Sequence, residues 1–188
     1  MADLLFQLVI VFAQMCLLVW IIGFLRQSIL VKIYGDAPFL PTPYDALATI
    51  AKSLEIEARD VVYELGSGDG RFLIYCARQE PSAQYVGIER NVALVFWARV
   101  RTYFSGNPKN VQFLRKNIHE VDLTNATKIY AYLLGPVMDK LLPTFQREFR
   151  GRLASRAFVF REKQATSVVT LSEKKGRFGE HLLHVYDF

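Results

Sequence analysis

The stretch Glu64-Leu65-Gly66-Ser67-Gly68-Asp69-Gly70 sets the tightest limit on what this chain can fold into. It continues the short apolar run Val61–Leu65, which reads as a buried strand, and leads into Arg71–Arg78, which reads as a helix. Glycine is entropically costly to order and brings no side chain to pack. Three alternating glycines between a buried strand and a helix therefore point to a tight turn that a ligand approaches closely, rather than to an ordinary connection.

The pattern that follows repeats the alternation of short apolar runs and helical ones. Gln84–Glu89, Val111–Arg115, Lys128–Leu134 and Arg156–Arg161 read as further strands, with helices at Val92–Tyr103 and Lys140–Phe149. Such alternation predicts an α/β fold with a mostly parallel sheet covered by helices on both faces. Thr166–Leu171 and His181–Phe188 read as two last strands joined by the charged turn Glu173–Gly179, a connection short enough to require an antiparallel hairpin. Phe96, Trp97 and Tyr103 are expected to form the packing face of their helix.

Residue chemistry around the glycines narrows the ligand. Glu89 ends the second strand some twenty residues on, where a carboxylate accepts hydrogen bonds from both hydroxyls of a ribose. The spacing is G-x-G-x-G, without the extra residue that usually seats a pyrophosphate on a helix N-terminus, and Asp69 places a negative charge in the loop. Glu64 adds a second carboxylate, which favours a bound ammonium or sulfonium over a phosphate.

With these residues in place, the chain resembles the seven-strand, Rossmann-like S-adenosylmethionine-dependent methyltransferases, in Glu64-Leu65-Gly66-Ser67-Gly68-Asp69-Gly70-Arg71 as the first motif and Gly87-Ile88-Glu89-Arg90 as the ribose motif. The resemblance implies S-adenosylmethionine as cofactor. It also implies a cofactor site of Thr42, Glu64, Gly66, Ser67, Gly68, Asp69, Gly70, Glu89 and Arg90, with Asn117 and Ile118 at the adenine and Tyr132 beside the reacting centre. Asn117 also fits a plain turn cap, and Tyr132 and Pro136 also fit plain packing. A narrower resemblance is to small membrane-anchored protein-lysine methyltransferases and their bacterial relatives, which join an N-terminal hydrophobic segment to a pre-loop such as Pro38-Phe39-Leu40-Pro41-Thr42-Pro43 and carry a fourth strand like Tyr130-Ala131-Tyr132-Leu133-Leu134-Gly135-Pro136. It implies a lysine acceptor, with Tyr132, Asp139 and Glu64 as candidate contacts to the amine. The chain departs from the class in leaving no room for a helix between strands five and six. It also lacks the Asn/Asp-Pro-Pro-aromatic sequence that accompanies methylation of adenine, cytosine or glutamine amides.

The N-terminus carries a second constraint. Leu4–Leu25 contains no charge and only Gln7 and Gln14 as strongly polar residues, a length that spans a hydrocarbon core of roughly 30 Å as a helix. Its apolar residues surround the helix axis, unlike those of an ordinary core helix, and Asp3 replaces the basic start of a cleaved signal. Residues 1–27 are thus expected to be a transmembrane anchor, 28–58 the Pro-containing pre-loop and a helix over Tyr44–Leu54, and 59–188 the methyltransferase domain. Arg26 and Lys32 follow the span, which places the catalytic domain on the cytoplasmic side.

The net charge of +5 is scattered along the chain, so attraction to anionic lipid is expected and nucleic acid is not. Cys16 and Cys76 form no disulfide framework, and His119, His181 and His184 have no Cys or carboxylate neighbours at ligand spacing. His181 and His184 would meet only if their stretch were a helix where a strand is read, and no metal is expected. Two rivals to a lysine acceptor stand at this point: a small apolar or lipid-like acceptor, and a non-catalytic, membrane-tethered cofactor-binding module.

Overall fold

The computed structural model describes residues 2–34, 40–171 and 181–188. Residues 36–39 of the pre-loop and the turn Glu173–Gly179 lie outside the described residues. The chain divides into two compact units, Met1–Leu40 and Pro41–Phe188.

The first unit is the helix α1 (Ala2–Tyr34), which continues beyond residue 27, where the anchor was expected to end. Its segment Phe6–Gly23 is long and apolar enough to cross a membrane, and none of it is buried within the structure.

The second unit is built on a seven-stranded sheet in the order β3-β2-β1-β4-β5-β7-β6. Strands β1 (Val61–Leu65), β2 (Gln84–Glu89), β3 (Val111–Arg115), β4 (Lys128–Ala131) and β5 (Arg152–Arg156) are parallel. β7 (Leu182–Asp187) runs antiparallel between β5 and β6 (Ser167–Thr170). The strand alternation sorts side chains onto two faces. Val62 and Tyr130 join α2 (Tyr44–Leu54), α3 (Arg71–Gln79) and α4 (Val92–Phe104) in one core. Leu65, Ile129 and Ala131 join α5 (Gly135–Glu148) in the other. The strand order reverses between β1 and β4, and it is at the C-terminal ends of strands at such a switch point that ligands of open α/β sheets bind.

The hairpin expected at the C-terminus is present, and with it the sheet reaches seven strands without a helix between β5 and β6. Three expectations are corrected. The fifth strand lies at Arg152–Arg156 and not at Arg156–Arg161. The chain enters it at Gly151, where a Cβ would stand 2.0 Å from the Thr127 carbonyl oxygen, and leaves it at Ala157, which adopts a left-handed φ of 69°. The fourth strand ends at Ala131, because Pro136 opens α5 within its first turn, where its missing N–H costs nothing.

The third correction concerns α4. Asn91 caps this helix by accepting from the Ala93 N–H at 2.9 Å, and Val95, Ala98 and Thr102 form its buried stripe. Small residues pack here because the sheet lies close: a Cβ on Gly70 would meet the Ala98 methyl at 3.2 Å. The large residues expected in the core face outward instead, with Phe96 64%, Trp97 52% and Tyr103 68% exposed, and the neighbouring Phe104 is 82% exposed.

Candidate functional site

The glycine loop takes its shape from left-handed dihedrals at Gly66, Gly68 and Gly70, with φ of 78°, 53° and 73°. Side chains are excluded there for a second reason. A Cβ on Gly70 would stand 2.3 Å from Phe113 Cζ, and one on Gly87 would stand 2.4 Å from Phe113 Cδ1 and 2.7 Å from Ser67 Oγ. The Gly66 and Ser67 N–H groups both donate to the Ile88 carbonyl, at 2.9 and 3.0 Å, which pins the loop against the end of β2.

Glu89 stands at that end. Its carboxylate accepts from the Gly68 N–H at 3.1 Å and the Asn91 N–H at 2.8 Å. These two bonds fix its orientation and leave lone pairs for further donors, since a carboxylate offers about four acceptor positions.

Glu64 is buried at the end of β1, and its Oε2 has no hydrogen-bond partner. Burial above all, then the charges of Asp69 and Glu89, push its carboxyl well above the ordinary range, and Arg71 offsets only part of this. A buried acceptor without a donor is costly unless a ligand supplies one. Ser67 Oγ, beside Gly87, is a second buried polar atom without a partner.

Asp69 differs from expectation. Its carboxylate lies 2.7 Å from Arg71 Nη2 and 3.0 Å from Arg101 Nη2. Burial raises its carboxyl, but the Arg71 hydrogen bonds and the Arg101 and Arg71 charges overcome that and hold it below the ordinary range. The negative charge that the sequence places in the loop is thus neutralised locally, so the case against a phosphate ligand rests on Glu64 and Glu89 and not on Asp69.

The remaining expected residues divide. Thr42 is brought to the site: its hydroxyl meets the Tyr130 hydroxyl at 2.8 Å and its carbonyl accepts from Arg71 Nη1 at 3.2 Å. Tyr132 lies just beyond β4, with the Arg156 guanidinium 4.9 Å from its ring centroid and Phe158 stacked at 6.5 Å. Asn117 accepts from the His119 N–H at 3.2 Å and so caps the single 3-10 turn at Ile118–Glu120. Arg90 is exposed. Asp139, in α5, is engaged by Arg161, from its backbone N–H at 3.0 Å and its Nε at 3.2 Å.

Sequence reasoning missed Arg101, which ties α4 to Asp69 and donates to the Tyr44 hydroxyl at 2.7 Å, and Arg156. Arg101 shares the helical face of no motif residue, and Arg156 was placed at the start of a strand that in fact ends there.

A parallel sheet with a glycine loop after its first strand, an acidic residue closing the second and an antiparallel seventh strand defines a class I, S-adenosylmethionine-dependent methyltransferase. The chain belongs to the family of the ANTKMT methyltransferase domain, which matches residues 64–167. It is 28% identical over 138 residues to a protein-lysine N-methyltransferase of Saccharolobus islandicus (strain REY15A), covering 72% of this chain and 86% of that protein. It is 30% identical over 112 residues to a lysine N-methyltransferase of Caenorhabditis elegans whose name gives an ATP synthase subunit as its acceptor, covering 56% of this chain and 58% of that one. Among solved structures, an RNA methyltransferase from Salinibacter ruber in complex with S-adenosylhomocysteine matches with a TM-score of 0.71 and 29% identity, over 79% of this chain and 93% of that chain. The protein is an enzyme that uses S-adenosylmethionine, and the buried Glu64 Oε2 and Ser67 Oγ, which have no partner, fit such a ligand.

Proposed function

We propose that this chain is a membrane-anchored protein-lysine N-methyltransferase whose acceptor is a lysine of a membrane-associated protein. The observation that carries the cofactor half is the buried Glu64 Oε2 without a partner, which suits the ammonium of the cofactor's methionyl portion. Glu89 accepts from the ribose hydroxyls, and Gly66, Ser67, Gly68, Asp69 and Gly70 form the loop beneath the ligand. Asn117 and Ile118 flank the adenine, with Arg90 at the rim. Thr42 braces the described end of the pre-loop against Tyr130 and Arg71.

S-adenosylmethionine supplies an activated methyl group on a sulfonium. The chain's own task is to exclude water and bring a neutral amine in line with that methyl carbon. The amine nitrogen forms the new C–N bond, the C–S pair stays with sulfur, and the methylated ammonium then releases a proton. A lysine amine is ordinarily protonated, with a reference pKa of ~10.4. On the acceptor side Tyr132 and Phe158 offer apolar walls, and the Arg156 guanidinium over Tyr132 disfavours the charged amine, lowering the cost of deprotonating it. Asp139, held by Arg161, contributes less than Tyr132.

The lysine acceptor is supported by the names of the two curated relatives, and the membrane by the exposed apolar segment Phe6–Gly23. An ATP synthase subunit as the acceptor of the nematode relative agrees with a membrane location. Arg26 and Lys32 after the span support a catalytic unit facing the cytoplasm.

The name of the S. ruber structure favours a second acceptor, RNA. Incubating the full chain with methyl-labelled S-adenosylmethionine, a membrane fraction and total RNA separates the alternatives. Label recovered as methyl-lysine after acid hydrolysis of membrane protein, and lost with Glu64→Ala and Gly66→Arg, is the expected result. Label in the lipid extract or in RNA, or no label in membrane protein, overturns the lysine assignment.

A further inference from the structure

The outward face of α4 has no role in the cofactor site and no cover among the described residues. At 3.6 residues per turn, Val92, Ala93, Phe96, Trp97, Val100, Tyr103 and Phe104 fall within an arc of roughly 140°. Every residue in that arc is apolar or aromatic, and the exposed members include four large aromatic rings. Arg99 and Arg101 bound the arc on its two sides. A monomeric water-soluble surface seldom leaves so many large apolar side chains contiguous.

We propose that this face of α4 lies in the headgroup and upper acyl region of a bilayer, parallel to its plane, and holds the cofactor site at the membrane surface. Its composition is what that layer selects: Trp and Tyr at the boundary, Phe and Val below it, Arg at the flanks and acidic residues absent from the helix. The overall charge of +5 suits anionic headgroups.

Connectivity points the same way. The chain passes from α1 into the catalytic unit through residues 35–43, and the first helical residue after that passage is Tyr44. Tyr44 is itself exposed, and Arg101 of α4 donates to its hydroxyl at 2.7 Å. Within the catalytic unit, the first helical residue of the chain therefore lies against α4. Arg101 also holds Asp69 at 3.0 Å, so the helix on the membrane is joined directly to the glycine loop. A site placed this way meets a lysine that emerges at the bilayer surface, and two membrane contacts restrict the unit's orientation where one leaves it to swing.

The inference rests on the membrane part of the proposed function, and the two tryptophans, Trp20 in α1 and Trp97 in α4, allow each to be tested alone. The full chain is reconstituted into vesicles of phosphatidylcholine and phosphatidylglycerol as Trp20→Phe or as Trp97→Phe, with a fraction of the phosphatidylcholine brominated near the headgroup end or near the end of the acyl chain. The expected result for Trp20→Phe is a blue-shifted Trp97 emission quenched about two-fold or more, and more strongly by the shallow bromines than by the deep ones. Adding Phe96→Ser and Phe104→Ser to Trp20→Phe, both at exposed positions, weakens that quenching while the circular dichroism is unchanged. Trp20 quenched by brominated lipid with Trp97 unquenched overturns this inference and leaves the anchor standing. A Trp97 that is shielded from water yet unquenched by lipid also overturns it, since a second copy or another protein then covers the face. Neither tryptophan quenched overturns the inference and the membrane part of the proposed function together.

Discussion

The end of β1 and the loop that follows it each bury a carboxylate, and the two are treated in opposite ways. Asp69 is gripped by Arg71 and Arg101 and is held below its ordinary titration range. Glu64 keeps an oxygen without a partner and is raised well above that range. The first carboxylate is structural: it joins α3, α4 and the glycine loop through one charge. The second is a buried acceptor whose burial a proton, or a hydrogen-bond donor brought by a ligand, would relieve. Motif residues that look alike in sequence thus divide into those that build the site and those that await its occupant.

The largest effect comes from removing the frame that holds both. Gly70 combines a left-handed φ with a Cβ position 2.3 Å from Phe113. Gly70→Val is expected to cost about 3–5 kcal/mol from dihedral strain and overpacking together. Thermal unfolding should show the Tm falling by about 2–4 °C for each kcal/mol, with cofactor binding lost alongside. If Gly70→Val unfolds normally, the two carboxylates do not depend on the loop's geometry.

The glycine loop and strands β1, β2 and β3 were legible because a buried strand ending in glycine leaves little freedom: the apolar run, the turn chemistry and the helical period agree. Agreement failed where two signals competed. β5 was shifted because Arg152 and Ser155 interrupt its apolar run, while Phe158-Val159-Phe160 offers a better one that the chain uses beyond a left-handed residue. In α4 the aromatic residues outweighed the small ones as core candidates, yet the close approach of the sheet admits only Val95, Ala98 and Thr102. The partners of a carboxylate are harder still to read. Arg71 is near Asp69 in sequence, whereas Arg101 arrives from a different helix, and only tertiary packing brings it within reach.

The two carboxyls also titrate in opposite directions from their ordinary range. A carboxyl raised by folding contributes stability that is fully present below its unfolded value and lost as pH rises through the folded one; a depressed carboxyl contributes stability present above its unfolded value and lost as pH falls through the folded one. Glu64→Gln should therefore flatten the loss of stability on the alkaline side of the ordinary carboxylate range and leave neutral-pH stability equal or slightly higher. It should also weaken S-adenosylmethionine binding about 10- to 100-fold, the worth of a lost charge-assisted hydrogen bond. Asp69→Asn should do the reverse, costing about 2 kcal/mol at neutral pH by leaving two guanidinium groups without their shared partner and flattening the loss on the acid side. Urea unfolding across the pH range, with calorimetric cofactor titration, reads both. Two variants with the same pH profile would erase the distinction between the carboxylates.

The smallest effect tests whether Thr42 belongs with Asp69 or with Glu64. Its hydroxyl meets the Tyr130 hydroxyl in a buried pair, and its carbonyl receives Arg71, so its contacts within the chain are those of a structural residue. Thr42→Val keeps the shape and the carbonyl and removes one partner of the pair, which should cost about 1 kcal/mol of stability. Tyr130→Phe should cost a similar amount, and the double change less than the sum of the two, because both remove the same bond. Under this assignment the KM for S-adenosylmethionine is unchanged in Thr42→Val. A KM that rises while stability holds would instead place the Thr42 hydroxyl on the ligand, the role proposed for Glu64.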